Sequence, residues 1–286
     1  MLRQLVRTPY ILVRRLIRGT CVTRWPWLQR IHDKMLPYLK NEHVVVRGHR
    51  MKLDPNDSLE LSVREYEPGE TRLILEHVKP GMTVVDIGAN IGYYTLLMAR
   101  QVGPAGKVFA FEPDPFNFSL LEENVRSNGY KNVTLINAAL SERTGTVQLA
   151  INSSNRGDHR MDACEGAETV TVPCWRFDDY AGEHIHAAQF IKTDTQGAEA
   201  VILPGMKQFV AAQHELTLVT EFWPKGLARF GMEGHAFLAL LHELGFLLFS
   251  FNDDGRTQSI EKAHLEQYMQ AADGHTNLLG VKNRQP

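Results

Sequence analysis

Val84-Val85-Asp86-Ile87-Gly88-Ala89-Asn90-Ile91-Gly92-Tyr93-Tyr94 reads as a β-strand that runs into a glycine-bearing turn and then into a helix. Gly88 and Gly92 let the backbone come close to a ligand, and the helix that follows offers unpaired N–H groups at its N-terminus. The spacing is D-x-G-x-N-x-G rather than G-x-G-x-x-G, so Asn90 stands where a dinucleotide turn needs its second glycine. A pyrophosphate is therefore disfavoured. Asp86, at the end of the strand, places a carboxylate where a cationic amino-acid group can be held. Glu112 ends the next strand in Phe111-Glu112-Pro113, a position from which a carboxylate suits two ribose hydroxyls. Nicotinamide-dinucleotide proteins carry an acid there too, so Glu112 taken alone indicates an adenosine and no more.

Outward from this stretch the pattern repeats. Residues 72–78 read as a helix stopped by Lys79-Pro80-Gly81, and β-rich runs follow at 83–87, 107–111, 133–138, 190–193 and 216–221. Helix-like segments separate these runs, which predicts a parallel sheet covered on both faces. Only residues 141–189 break the alternation. Within them, 146–150 and 169–175 alternate as strands around a polar stretch, 152–166, and predict an inserted hairpin with a long loop. After a helix at 234–244, runs at 246–251 and 278–282 close the sheet as a final antiparallel pair.

The 286 residues, 43% apolar and 22% charged, are ordinary globular values and exclude a disordered, collagenous or coiled-coil chain. A net charge of −2 argues against a protein that coats nucleic acid. Cys21, Cys164 and Cys174 are an odd count without a C-x-x-C pair, which leaves neither a disulfide framework nor a four-thiolate zinc site. No apolar run reaches the roughly 18 residues of a spanning helix. A reducing, cytoplasmic setting is the expectation.

Charge is nevertheless uneven, because residues 1–30 carry seven arginines and no acid, so that segment is +7 and the remainder −9. With Leu2, Leu5, Val6, Ile11, Leu12, Leu16 and Ile17 between the arginines and Trp25 and Trp27 after them, residues 1–50 read as a basic amphipathic helical extension ahead of a domain over 51–286. Such a helix either lies on an anionic membrane, here the inner membrane surface, or packs on the body of the protein with its arginines in solvent. Vesicle sedimentation separates the two. Membrane attachment predicts that the chain pellets with anionic vesicles at low salt, releases as salt rises, and stays in solution once residues 1–30 are deleted. Equal pelleting of the truncated chain rejects it.

Taken together, Tyr66-Glu67-Pro68, VVDIGANIGYYT at 84–95, FAFEPDP at 109–115, NVTLINAAL at 132–140, Asp178-Asp179 and KTDTQGAE at 192–199 resemble the FkbM family of S-adenosylmethionine-dependent methyltransferases. The resemblance runs roughly from residue 53 to 246. It implies a Rossmann-like α/β fold of the class I methyltransferases, with a seven-stranded, mostly parallel sheet whose last strand is antiparallel. It also implies that S-adenosylmethionine is bound by Asp86, Gly88, Asn90, Gly92, Tyr93 and Glu112, with Asn137 and Ala138 beside the adenine. The implied reaction is methyl transfer to a hydroxyl of a sugar, glycan, polyketide or similar metabolite. Where many members read K-I-D-V-E-G-A-E, this chain has Thr193, Thr195 and Gln196, while Asp194, Gly197 and Glu199 match.

A methyl sulfonium is already a strong electrophile, so such an enzyme has to align donor and acceptor and help remove a proton from an alcohol. Asp194 follows the fourth parallel strand and Glu221 ends the fifth, and the carboxyl ends of strands in an open α/β sheet face the ligand crevice. The two carboxylates either share Mg²⁺ or leave one of them as general base. Their alternative roles are a loop cap for Asp194 and a surface ion pair for Glu221. His159, in the polar loop 155–160, is a second candidate base, since imidazole titrates near neutral pH. Glu199 reads as a first-turn helix acid, Asp178-Asp179 as a cap, and Tyr66 and Glu67 as cover for the cofactor or as plain loop residues. Two other classes remain open at this level: a non-catalytic membrane-surface module that kept the fold, and an N-methyltransferase. An NAD-dependent oxidoreductase lacks its glycine turn. Oligomeric state is not encoded in any of these motifs.

Overall fold

The computed structural model describes residues 42–62, 66–151, 168–260 and 275–282. The arginine-rich segment 1–30, Cys21, Cys164 and the loop carrying His159 lie outside the described residues. The chain divides into two compact units, one ending at Tyr66 and the other beginning at Glu67.

In the first unit, β1 (His43–Val46) and β2 (His49–Lys52) form an antiparallel hairpin. This hairpin lies across the boundary expected at residue 50. Three consecutive valines favour strand, and Arg47 and Gly48, at φ 48° and 86°, supply the two left-handed residues that a tight hairpin turn requires. The hairpin runs past residue 50. Beyond it Asp54 accepts from the N–H groups of Asn56 and Ser58, and Asp57 from those of Leu61 and Ser62.

The second unit opens with α1 (Pro68–His77), whose proline sits at the first helical turn where a missing N–H costs nothing. Then β3 (Thr83–Ile87), α2 (Tyr93–Val102), β4 (Lys107–Phe111), α3 (Pro115–Ser127) and β5 (Val133–Ile136) follow as successive strand and helix pairs. Asp114 starts α3 by accepting the N–H of Asn117 at 2.7 Å. β6 (Ala139–Ser141), β7 (Gly145–Ala150) and β8 (Thr169–Arg176) come next, then α4 (Phe177–His184), β9 (Phe190–Thr193), α5 (Glu199–Ile202), α6 (Lys207–Ala212), β10 (Leu216–Phe222), α7 (Pro224–Arg229) and α8 (Gly234–Glu243). β11 (Leu247–Phe251), β12 (Thr257–Ser259) and β13 (Thr276–Lys282) complete the unit.

The main sheet has the order β12-β11-β13-β10-β9-β3-β4-β5. β10, β9, β3, β4 and β5 are parallel neighbours, and β13 inserts antiparallel between β10 and β11. This is the class I methyltransferase arrangement, with one correction. Eight strands are present rather than seven, because Thr257–Ser259 adds itself to the open edge of β11 through backbone bonds alone. All three of its residues are exposed, so it has no apolar pattern by which to be read. The inserted hairpin forms as β7 against β8, and β6 pairs parallel to β8 to make a three-stranded sheet. Val85, Ile87, Phe109, Phe111, Ile191 and Leu218 are buried in one core between the sheet and its helices. No described helix is long and apolar enough to cross a membrane.

Candidate active site

The parallel strands β3, β4, β9 and β10 deliver Asp86, Glu112, Asp194 and Glu221 at or just beyond their carboxyl ends, and close backbone packing holds those ends together. Gly88 has φ 76°, and a Cβ there would lie 2.1 Å from the Asp194 carbonyl oxygen. Gly197 has φ 98°, and a Cβ would lie 2.4 Å from the backbone of Gly226 on α7. Only glycine combines a left-handed backbone with such contact, so the turn after β3, the loop after β9 and the segment after β10 meet.

Asp86 is fully buried. It accepts a 2.5 Å hydrogen bond from the Thr95 hydroxyl on α2, while its Oδ1 has no hydrogen-bond partner among the described residues. Asn90 adopts a left-handed conformation, φ 51°, which its side chain supports by accepting the Ile91 N–H at 2.7 Å. Gly92 then precedes α2. Glu112 spans two backbone donors, with Oε2 accepting from Asn90 at 2.7 Å and Oε1 from Asp114 at 2.9 Å. It thus ties the β3 turn to the β4 exit, and each oxygen keeps a further lone pair. Asn137 donates to the carbonyls of Glu112 and Pro113 from the β5 exit, beside buried Ala138. Tyr93 is placed differently. Its ring is buried and its hydroxyl pairs with Thr71 on α1 at 3.0 Å.

Two residues at this site escape the sequence reading. Lys192, third in β9, is 3% exposed; its Nζ lies 3.5 Å from Asp194 Oδ2, 4.0 Å from Asp86 Oδ1 and 5.1 Å from the centre of the Tyr94 ring. Burial lowers its proton affinity, but Asp194, Asp86, Glu70 and Glu67 together more than reverse that, so it stays charged. A lysine directly after Phe190 and Ile191 in the short strand Phe190–Thr193 is the signal that could have marked it. Glu70, in the first turn of α1, is also buried, with Oε2 accepting from Asn277 at 2.6 Å and Oε1 unpartnered among the described residues. In sequence it resembles any acid at a helix start. Glu67 accepts the Tyr94 hydroxyl at 2.8 Å.

Glu221 is 7% exposed, and its Oε2 has no hydrogen-bond partner among the described residues, which excludes the surface ion pair. Burial, then the negative charge of Asp194, pushes its carboxyl well above the usual carboxylate range. Glu199 closes the loop after β9 by accepting from Thr195 N, Thr195 Oγ1 and Gly197 N. Asp178 caps a remote helix, accepting from Gln208 and Phe209 at the start of α6.

At Asp194 a cation of the chain itself is already in place. The Lys192 ammonium already occupies one side of that carboxylate, and no group of three or more His, Cys, Asp or Glu side chains with ligating geometry exists among the described residues. A cationic cofactor fits well. Glu70, Asp86 and Glu221 each have a buried carboxylate oxygen without a hydrogen-bond partner among the described residues, that of Asp86 lying 4.0 Å from the Lys192 ammonium.

Burial also raises Glu112, from its ordinary 4.5 to about 8. A carboxyl whose folded pKa is raised contributes stability below its unfolded pKa and loses it as pH rises through the folded value. The Tm of the unliganded protein should therefore fall between pH 4.5 and about 8, and Glu112→Gln should flatten that fall. An identical pH profile in the variant contradicts the burial assignment.

The fold and this strand-end site define an S-adenosylmethionine-dependent methyltransferase. Residues 86–248 match the profile described as the Methyltransferase FkbM domain, and the chain belongs to that family. Methyltransferase sdnD of Sordaria araneosa is 29% identical over 198 residues, 57% of this chain and 73% of that protein. Hexuronic acid methyltransferase AglP of Haloferax volcanii is 29% identical over 137 residues, 47% of this chain and 54% of that one. Among solved structures, a SAM-dependent O-methyltransferase from Thermotoga maritima aligns over 86% of this chain and 78% of its own, at 15% identity and a TM-score of 0.42.

Proposed function

We propose that this chain methylates a hydroxyl group, on a sugar, glycan, polyketide or similar small metabolite, and that Glu221 takes the proton the hydroxyl loses. The observation that carries this reading is the buried Glu221 carboxylate at the end of β10, with a raised proton affinity and one oxygen unpartnered among the described residues. An alcohol gives up its proton far above neutral pH, so a base whose pKa is lifted towards the working pH accepts it more readily than an ordinary carboxylate. S-Adenosylmethionine, when bound, supplies the electrophilic methyl sulfonium. Asp86 would hold its cationic amino end through Oδ1, and Glu112 would accept ribose hydroxyls on its remaining lone pairs. Asp194, held by Lys192, lies beside Glu221 as the second carboxylate at the acceptor side. The hexuronic acid named in one relative supports a sugar among the acceptors.

Calorimetry tests the cofactor assignment. S-Adenosylmethionine should bind and NAD should not, and Asp86→Ala or Glu112→Ala should each weaken binding about ten- to a hundred-fold by leaving cofactor polar groups unpaired. Turnover should survive a chelator, since Lys192 stands where a divalent ion would need Asp194. Unchanged affinity in both variants rejects the assignment, and loss of turnover with chelator that Mg²⁺ restores rejects the metal-free base.

A further inference from the structure

The strand-end region buries more negative charge than its own cation can balance. Glu70 on α1 and Glu221 on β10 each have one buried carboxylate oxygen without a hydrogen-bond partner among the described residues, and the corresponding oxygen of Asp86 on β3 has only the Lys192 ammonium, 4.0 Å away. Lys192 is shared between Asp86 and Asp194 already. The other groups around Glu221 add to the excess: the charges of Asp194 beyond β9, Glu199 on α5 and Glu67 ahead of α1 raise its proton affinity, and that of Lys192 opposes them. Around Glu70 stand Glu67, Asp194 and Asp86, with Lys192 opposing them. A buried carboxylate without a counter-charge either keeps a proton or is ready for a cation.

We infer that Glu70 and Glu221 make this site choose its cofactor by charge, favouring the cationic methyl donor over its neutral demethylated product. The inference rests on reading the site as one for S-adenosylmethionine. S-Adenosylhomocysteine shares with the donor the adenosine, the amino group and the carboxylate, and differs by one methyl and the positive charge on sulfur. Their hydrogen bonds and their own titrations therefore largely cancel in the ratio of affinities, leaving the charge at sulfur. The transfer step balances in the same terms. The acceptor oxygen forms its bond to the methyl carbon, the carbon–sulfur electron pair stays on sulfur, and the hydroxyl proton goes to Glu221. Sulfonium and carboxylate thus become thioether and carboxylic acid, and the attraction that held the donor is gone when the product has to leave.

The sign of the pH dependence follows from linkage. Burial favours the protonated forms of Glu70 and Glu221 in the unliganded site, and a bound cation favours the ionised forms, so donor binding expels protons. Donor affinity then rises with pH by up to about tenfold per unit for each proton released. Calorimetric titration of the full chain with S-adenosylmethionine and with S-adenosylhomocysteine, at pH about 6 and about 8.5, reads this directly. The preference for the donor should grow by about tenfold or more over that range, and Glu70→Gln and Glu221→Gln should each reduce the growth. Both substitutions remove a buried charge and keep the side-chain shape, so the fold should survive, and circular dichroism checks that it does. A donor-to-product ratio that is the same at both pH values overturns the inference, as does full pH dependence in both variants. Binding of neither ligand at either pH overturns the site reading itself, and this inference with it.

Discussion

Glu221→Gln should lower kcat for methyl transfer about 10²–10⁴-fold, the usual contribution of a positioned base, without loss of Tm. Glutamine keeps the volume and hydrogen-bonding reach of the side chain but cannot accept the acceptor's proton. A variant that merely broke packing would lose stability with activity. Here the two should separate, because the native carboxyl is raised by burial and by Asp194, so its ionised form is a cost to folding that the amide removes. At alkaline pH the variant should melt at the same temperature as the native protein or higher. Full activity in Glu221→Gln would show that the base lies elsewhere, with His159→Ala the next substitution to assay.

The second large effect is expected at Lys192. Replacing it by Met removes the buried ammonium shared by Asp86 and Asp194. Breaking a buried ion pair from one side costs about 3–5 kcal/mol, since the charge left behind loses its counter-charge without regaining full hydration. For a chain of this size each kcal/mol is worth about 2–4 °C, so Tm should drop by roughly 6–20 °C. The loss should be smaller in mild acid, where Asp86 can take up a proton and become neutral, and greatest at alkaline pH. Thermal melts of Lys192→Met across that range check this. A loss that is the same at every pH would mean that Lys192 acts through packing of its alkyl chain rather than through its charge.

The way these residues sit in the sequence explains what was legible. Phe190–Thr193 and Thr83–Ile87 are central strands covered on both faces, and their short apolar runs bounded by turn residues mark them residue by residue. Asp86, Asp194 and Glu221 are readable because strand ends face the crevice in any open parallel sheet. What stayed hidden depends on tertiary placement. Nothing local distinguishes Glu70 from an acid that simply favours a helix start, and only the approach of Asn277 on β13 and of the Lys192 cluster makes it a buried, partly unpaired carboxylate. Lys192 is visible as a charge in a buried strand, but its partners are not. β12 is polar and exposed, and only backbone pairing makes it a strand. The role of Asp178 is legible as a cap but not as a cap for a helix that begins about thirty residues later in the chain.

The most direct test of the account places the transferred methyl group. The full chain is incubated with S-adenosylmethionine carrying a deuterated methyl and with a panel of neutral sugars, hexuronic acids, glycans and polyketides, and the labelled product is located by mass spectrometry and NMR. The account predicts an alkali-stable methyl ether on a hydroxyl oxygen, formed about 10²–10⁴-fold more slowly by Glu221→Gln. Label on nitrogen, label in an alkali-labile carboxyl ester, or an undiminished rate in Glu221→Gln would contradict it.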